Sequence, residues 1–205
     1  MVDKIKNWLG AGSINLFGMP FTGKDTQGQA LSKLLGANLI GGGEILRGKH
    51  TPQKIRKIME RGELVPVEDF IKIVVPNLKD ARYAGKPLIL SAVGRRRGEE
   101  EGILKAAELS GHPIKAVVFL KMKEPEIQKR WELAKLNGDR GERADDDVEA
   151  LEVRVQEYKN KTLPVIDFYR GRGLLIKVDG SLSPDKVTDA ILEKLTERAS
   201  RATPR

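Results

Sequence analysis

Apolar residues along this chain fall into short continuous runs, separated by segments in which apolar positions recur every three or four residues. Continuous runs are typical of strands buried on both faces of a parallel sheet, and the wider period is typical of amphipathic helices. The two patterns alternate, which predicts an α/β fold with a parallel five-stranded sheet flanked by helices. The predicted strands are Ser13 to Met19, Ala37 to Ile40, Pro87 to Val93, Ile114 to Met122 and Gly173 to Val178.

The segments between these runs carry helix start and stop signals. Thr51-Pro52 has the pattern of an N-cap followed by the first residue of a helix. Pro76 is predicted to kink or end its helix, because proline lacks the N–H that a helix interior needs. Val148 is predicted to share an apolar face with Leu151. Helices are predicted over 24–35, 52–62, 99–110, 124–136 and 145–158, and two more begin near residues 66 and 183.

Two stretches interrupt the simple alternation of strands and helices. Residues 42–80 place about three helical pieces between the second and third strands. Residues 131–144 end in a polar, glycine-containing stretch of mixed charge. We interpret both as small mobile inserts over one site, within a single domain that spans residues 1–205.

Composition narrows the class of ligand. The formal net charge of +8 indicates an anionic partner, but aromatic residues are only 5% and the basic residues are spread along the chain. This favours a phosphate-bearing small molecule over nucleic acid. The chain has no cysteine, which excludes disulfides and thiolate-zinc sites and fits a reducing cytoplasm. His50 and His112 are expected in surface loops, and no apolar run is long enough to cross a membrane.

The strongest local motif is a glycine-rich segment between the first predicted strand and the first predicted long helix. Its glycines let backbone N–H groups wrap around phosphate oxygens, helped by the positive end of the following helix. A lysine at its end would bridge the β- and γ-phosphates of a nucleotide. The residues predicted to bind in this segment are Gly18, Pro20, Thr22, Gly23, Lys24, Asp25 and Thr26.

Together with motifs further along, this segment resembles the adenylate kinase family and its nucleoside monophosphate kinase relatives. The family loop Gly-x-Pro-Gly-x-Gly-Lys-Gly-Thr-Gln is similar to GMPFTGKDTQ, residues 18–27. The other matching segments, in family order, are Gly42 to Arg47, Gly62 to Pro66, Ser91 to Arg95, Arg143 to Asp146 with Arg154, Pro164 to Tyr169, and Val178 to Gly180.

The resemblance implies a P-loop kinase fold and a role for each matching residue. Phosphoryl transfer depends on positioning and charge stabilisation, for which the planar guanidinium of arginine is suited. Arg47 and Arg95 would hold the acceptor phosphate, Arg143 and Arg154 would close on the transferring group, and Arg130 would stack on the donor adenine. Residues 42–80 would bind the monophosphate through Gly42, Gly43 and Val65, and Glu99 would contact the acceptor base. Residues 131–144 would form a short lid.

Three residues depart from the family pattern. Ser91 replaces an aspartate that holds magnesium through water, Glu99 replaces a glutamine that contacts the acceptor base, and Ala134 stands where a lid arginine is expected. Asp25 occupies the loop position whose side chain normally meets magnesium. Our hypothesis is that Asp25 holds the magnesium of MgATP or its waters, and the alternative is that it only interacts with the helix dipole.

The main functional interpretation is an adenylate kinase that converts MgATP and AMP into two ADP, as a cytoplasmic monomer with neither nucleic acid nor membrane as a partner. A kinase for CMP or UMP is the nearest alternative, because ionised Glu99 only accepts hydrogen bonds. A nucleotide-binding module with weakened catalysis is the second alternative, favoured by Ser91 and Asp25.

Overall fold

A single parallel sheet organises the computed structural model, which describes residues 1–137 and 147–202. Its strands lie in the order β2-β3-β1-β4-β5, and every neighbouring pair is parallel. This order confirms the α/β fold with five parallel strands. The strands are β1 (Ser13–Gly18), β2 (Asn38–Gly41), β3 (Leu88–Ser91), β4 (Ile114–Lys121) and β5 (Leu175–Asp179).

Helices cover both faces of the sheet. A 3₁₀ turn at Ala81–Tyr83 precedes β3, and a π-helical segment, Tyr158–Thr162, joins two of the helices. The α-helices among the described residues are α1 (Val2–Leu9), α2 (Lys24–Leu35), α3 (Gly42–Leu46), α4 (Gln53–Glu60), α5 (Val67–Leu78), α6 (Glu100–Leu109), α7 (Glu124–Asn137), α8 (Val148–Glu157), α9 (Leu163–Gly171) and α10 (Pro184–Ala202).

Successive side chains of the central strands point to opposite faces and build two cores. Ile14 and Leu16 of β1 pack with Leu31 of α2 and Ile191 of α10, whereas Phe17 packs with Tyr169 of α9 on the other face. All of these side chains are fully buried. Burial of a large apolar side chain contributes roughly 1.5–3 kcal/mol, so these two layers hold the sheet that positions the loops at its carboxyl edge.

The two proline-containing segments follow the predictions only in part. Pro52, and not Thr51, precedes the first residue of α4, and the Thr51 hydroxyl instead donates to the Ile45 carbonyl. The helix that contains Pro76 continues to Leu78. In this last turn the side-chain amide of Asn77 donates to the Ile73 carbonyl at 2.8 Å, and Leu78 is buried.

Two predictions about burial were also wrong. His112 is 2% exposed, since the loop before β4 folds against the α1–β1 turn and the His112 ring lies 2.8 Å from the Ala11 carbonyl. Val148 is 51% exposed because it is the first residue of α8, whose buried face begins at Ala150 and Leu151. Neither change moves a predicted site residue.

Candidate active site

The glycine-rich segment joins β1 to α2, as the sequence predicts. A Cβ on Gly18 would lie 2.6 Å from the Thr22 hydroxyl and 2.9 Å from the Leu120 carbonyl, so only glycine fits there. Gly23 has a φ of 87°, which favours glycine as the residue before α2. The Lys24 ammonium donates to the carbonyls of Gly18 and Met19 at 2.8 and 2.6 Å, so it lies along the loop.

Within this loop, Phe21 was not singled out by the sequence analysis. It stands where the family pattern has glycine and adopts a φ of 60°, a left-handed conformation that is strained for a side chain of this size. The guanidinium carbon of Arg154 lies 5.8 Å from the centre of the Phe21 ring. The family glycine at this position is the signal that could have predicted the unusual backbone.

Asp25 and Ser91 meet at the carboxyl edge of the sheet. The Ser91 hydroxyl donates to Oδ1 of Asp25 at 3.1 Å, which places an aspartate of α2 beside the last residue of β3. Among the described residues, no group of three or more histidine, cysteine or acidic side chains could hold a metal by itself. One carboxylate with a neighbouring hydroxyl nevertheless suits Mg²⁺, which usually keeps several waters and binds nucleotide phosphates besides one or two carboxylates.

The segment after β2 approaches the loop after β3 closely. A Cβ on Gly42 would lie 2.9 Å from the Ala92 carbonyl, so glycine allows the first turn of α3 to pack there. Arg47 follows α3, and its guanidinium folds back over Gly43, where a Cβ would lie 3.0 Å from Nη1. The two glycines therefore bring the Arg47 guanidinium to the wall of the central cleft.

Arg95 is positioned by a buried asparagine that the strand pattern did not reveal as special. The side-chain amide of Asn15, in β1, donates to the Val93 carbonyl at 2.7 Å and accepts from the Val93 N–H at 3.3 Å. This pair of hydrogen bonds fixes the loop after β3. Arg95 therefore lies between the central cleft and a smaller pocket behind it.

The smaller pocket contains Glu99 among apolar side chains. Glu99 is 2% exposed, and burial raises the pKa of Glu99 to about 7, although the Arg96 N–H and the Arg95 charge favour the ionised form. The Arg96 N–H donates to Oε2 of Glu99 at 3.0 Å. The apolar lining comes from Leu46, Met59, Leu64, Val65 and Phe70, so the structure brings Val65 and Glu99 together.

Arg154 lies in α8, which contacts the loop after α4. A Cβ on Gly62 would lie 2.6 Å from the Ala150 carbonyl and 3.1 Å from Cγ of Arg154, so this contact requires glycine. A second link was missed by the sequence analysis: the Leu64 N–H donates to Glu157 at 3.0 Å. These contacts join the helix that carries Arg154 to residues 62–64.

Arg130 and Ala134 lie on one side of α7 and line the central cleft. The Arg130 guanidinium donates to the carbonyls of Ser181 and Leu182, both at 3.3 Å, which holds it beside the glycine-rich loop. The predicted insert 131–144 begins inside α7, which continues to Asn137. Arg143 and the rest of that insert lie outside the described residues.

The central cleft has a volume of about 1090 Å³, larger than the roughly 300–1,000 Å³ of a site for one small ligand. Its lining brings together cations that are far apart in the chain. Lys49, which the sequence analysis did not single out, also lines it. The cationic side chains on its wall are Lys24, Arg47, Lys49, Arg95, Arg130 and Arg154, and the predicted residues Pro20, Gly23, Asp25, Thr26 and Gly43 line it as well.

Comparisons with known proteins identify the family of this chain. The family model for adenylate kinase matches residues 16–174. The chain is 34% identical over 190 residues to an adenylate kinase of Phenylobacterium zucineum, covering 90% of this chain and 98% of that protein. It is 31% identical over 181 residues to the adenylate kinase of Thermus thermophilus, covering 85% of this chain and 92% of that protein. The chain therefore belongs to the adenylate kinase family.

A solved structure supports the fold separately. A gluconokinase from Sinorhizobium meliloti 1021 superposes with a TM-score of 0.63 over 93% of this chain and 94% of that chain. The two sequences are 18% identical, so the likeness concerns the fold alone. In residues 1–137 and 147–202, no helix is long and apolar enough to span a membrane.

Proposed function

We propose that this chain transfers the γ-phosphoryl group of MgATP to AMP and so gives two molecules of ADP. The observation that carries the proposal is the convergence of Lys24, Arg47, Arg95 and Arg154, from four separate segments, on one cleft beside the glycine-rich loop. Two nucleotides that meet through their phosphates bring several negative charges together. Binding of one nucleotide at the loop would not need cations from all four segments.

The reaction needs little covalent help from the protein. The bond between the γ-phosphorus and the β-bridging oxygen breaks, and an oxygen of the acceptor phosphate forms the new bond to phosphorus. Lys24 would bridge the β- and γ-phosphates, and Arg47 and Arg95 would hold the acceptor phosphate. Arg154, with Arg143, would stabilise the charge of the transferring group, since guanidinium groups grip two phosphate oxygens at once.

Magnesium would be held at the Asp25–Ser91 pair. An ionised aspartate beside triphosphate oxygens is repelled unless a cation lies between them, so the position of Asp25 fits a magnesium ion or its waters. The ion, when bound, neutralises phosphate charge. Asp25 thereby compensates for the aspartate that Ser91 replaces.

The two inserts would then be the moving parts of the site. Residues 42–80 would bind the monophosphate, and residues 131–144 would form a short lid that excludes water, which otherwise competes as the phosphoryl acceptor. Arg130 would face the donor adenine. A monomer in the cytoplasm suffices for this activity.

An assay of ADP formation with ATP and a panel of monophosphates tests the proposal. The wild-type chain should phosphorylate AMP, and Lys24→Ala should lower the rate by about 100-fold or more, because one preorganised charge contact at a transferring group contributes that much. Lys33→Ala is the matched control, since Lys33 is exposed in the last turn of the same helix. Nucleotide binding without turnover of any monophosphate would mean that the chain is a binding module.

A further inference from the structure

Phe21 has an unfavourable backbone conformation within the glycine-rich loop. Its φ is 60°, a left-handed value that a residue with a large side chain rarely adopts. The family pattern has glycine at this position, and glycine adopts a positive φ about as readily as a negative one. Such strain persists only where the surroundings of a residue hold it, and it is concentrated at functional sites. The contacts of the Phe21 ring therefore indicate what it does in this loop.

The first contact of Phe21 is with an apolar cluster to which both α7 and α8 contribute. Phe21 is half-buried and packs against this cluster. The buried members of the cluster are Met122, Ile127, Trp131 and Leu151. Because α7 ends at Asn137 and α8 begins at Val148, residues 138–144 of the proposed lid lie between the two helices in sequence. The Phe21 ring thus joins the glycine-rich loop to the helices on either side of the lid segment.

The second contact of Phe21 is with Arg154. The guanidinium carbon of Arg154 lies 5.8 Å from the centre of the Phe21 ring, within the range of a cation–π interaction. Such a contact attracts the cation to the face of the ring and restricts a long side chain that would otherwise sample many rotamers. Both residues line the central cleft, as Lys24 does. The ring thus helps to hold the Arg154 guanidinium beside the loop that would bind the triphosphate.

A cation that is already held in place is worth more to this chain because Ala134 brings none. Ala134 stands where the family pattern has a lid arginine, and it lines the central cleft. The transferring group would therefore depend more on the remaining arginines, among them Arg154. An arginine that is ordered beforehand stabilises the developing charge without the entropy loss of ordering it during the reaction.

We propose that Phe21 is a positioning residue for phosphoryl transfer, which holds the Arg154 guanidinium where the transferring group would lie. The inference rests on the proposed function, which assigns Arg154 to that group. Phe21 would act through Arg154 and not on the reacting atoms. Preorganisation of the guanidinium offsets the strain in the backbone of Phe21. A change at Phe21 should therefore lower kcat and kcat/KM by the same factor.

Phe21→Leu tests the role of the aromatic ring. Leucine keeps an apolar side chain against the cluster but has no π face for the cation. In the assay with ATP and AMP, this variant should lower kcat about fivefold or more and leave both KM values unchanged. Phe21→Tyr keeps the ring, so its kcat should stay within about twofold of the wild type.

Phe168→Leu is the matched control for Phe21→Leu. Phe168 is also half-buried, and the guanidinium carbon of Arg172 lies 4.8 Å from the centre of its ring. This pair belongs to the end of α9, and its loss should leave kcat unchanged. Urea unfolding checks that both variants are folded under the assay conditions. An equal loss of kcat in the two variants would assign the effect of Phe21 to general packing and would overturn the inference.

A double-mutant cycle shows whether Phe21 acts through Arg154. Arg154→Ala should lower kcat by itself, and Phe21→Leu should then cause no further loss. A ring that only packs against the cluster would instead lower kcat by the same factor with and without the Arg154 guanidinium. That second result would overturn the inference. If Phe21→Leu fails to fold, Phe21→Gly replaces it in the cycle with the same expectation, since glycine removes the ring and relieves the backbone strain.

A spectroscopic measurement and the activity of the wild type separate this inference from the proposed function. The ring current of Phe21 should shift the NMR signals of the Arg154 side-chain protons in the wild type and in Phe21→Tyr, but not in Phe21→Leu. Turnover by the wild type with unchanged kcat in Phe21→Leu, or with no such shift, would overturn the inference and leave the kinase intact. No turnover of any monophosphate by the wild type would overturn both.

Discussion

The Ser91 hydroxyl donates a hydrogen bond to the carboxylate of Asp25 at 3.1 Å, across 66 positions of sequence. The contact arises because β3 lies beside β1, with Leu16 in register with Ser91, and α2 begins directly after the loop that follows β1. The family pattern has an aspartate at the end of β3, and in this chain a carboxylate from α2 lies beside the serine that stands there. In the proposed reaction Asp25 would hold the magnesium of MgATP besides interacting with the helix dipole.

Asp25→Asn should raise the magnesium concentration needed for half-maximal activity by about tenfold or more. Asparagine keeps the size of the side chain and its acceptor oxygen but removes the charge that attracts the cation. The requirement is measured from the rate at fixed ATP as magnesium is varied. Calorimetric titration of magnesium into the protein with a non-hydrolysable ATP analogue should show the same loss without depending on turnover.

Asp185→Asn is the matched control for Asp25. Asp185 is an exposed aspartate in the first turn of α10, so its removal costs the same kind of helix-dipole interaction, about 0.3–1 kcal/mol. This control should leave the magnesium requirement unchanged. Equal magnesium curves for Asp25→Asn and the wild type would assign Asp25 to the helix dipole alone.

Gly62→Ala should be strongly destabilising. Gly62 has a φ of 76°, and an added Cβ would lie 2.6 Å from the Ala150 carbonyl, so the variant suffers backbone strain and a clash with backbone atoms of α8. We expect a loss of roughly 3 kcal/mol in the free energy of unfolding, measured with urea.

Gly85→Ala separates the two contributions at Gly62. Gly85 has a similar φ of 70°, but no atom lies within 4 Å of a Cβ built there. Its replacement should cost only the strain of the left-handed conformation, about 1 kcal/mol. Equal losses for the two variants would show that residues 62–64 do not pack on α8 as described.

Stability should depend on pH through Glu99. The pKa of Glu99 is about 7 in the folded chain, above its ordinary value of 4.5, so the folded state holds the proton at pH values where the unfolded state has lost it. Below about pH 4.5 the group is protonated in both states, so the free energy of unfolding does not change with pH through this group. As the pH rises from about 4.5 to 7, the free energy of unfolding should fall by about 3 kcal/mol from this group.

Glu99→Gln isolates this effect, because the amide does not titrate. The difference in free energy of unfolding, wild type minus Glu99→Gln, should decrease between about pH 4.5 and pH 7 and stay level above. It is measured by urea unfolding at several pH values. A difference that stays constant over this range would contradict the raised pKa.

Arg154→Lys should lower kcat by about tenfold or more while the free energy of unfolding changes little. Lysine keeps the charge but loses the planar fork that grips two phosphate oxygens and the guanidinium that lies over the Phe21 ring. Arg170→Lys is the control, since Arg170 is an exposed residue of α9 that pairs with Asp167. Unchanged kcat in Arg154→Lys would remove Arg154 from the proposed chemistry.

Much of the fold could be predicted because its signals are local. The end of α2 follows from the glycine after it, and the strands follow from their continuous apolar runs. The observed ends of these elements lie within two residues of the predicted ones. The helix α1 was not predicted, because only Ile5 and Leu9 mark its buried face. Neither Asn15 nor His112 could be recognised as buried, since their hydrogen-bond partners, Val93 and Ala11, are distant in sequence or in another element.

The candidate site was predictable where it matches the family motifs and not where it depends on contacts. Lys24, Arg47, Arg95 and Arg154 were predicted in separate segments, and all four line the central cleft. The contact of the Arg154 guanidinium with the Phe21 ring and the hydrogen bond from the Leu64 N–H to Glu157 both depend on where α8 lies in the fold. No sequence period encodes such a contact.

Calorimetric titration with a bisubstrate compound, two adenosines joined by five phosphates, tests the convergence of the cations most directly. At about pH 6, one molecule should bind per chain. Arg47→Ala, Arg95→Ala and Arg154→Ala should each weaken binding about tenfold or more, because each removes a charge-assisted contact to phosphate. Two molecules bound per chain, or an affinity that none of the three variants changes, would contradict the account.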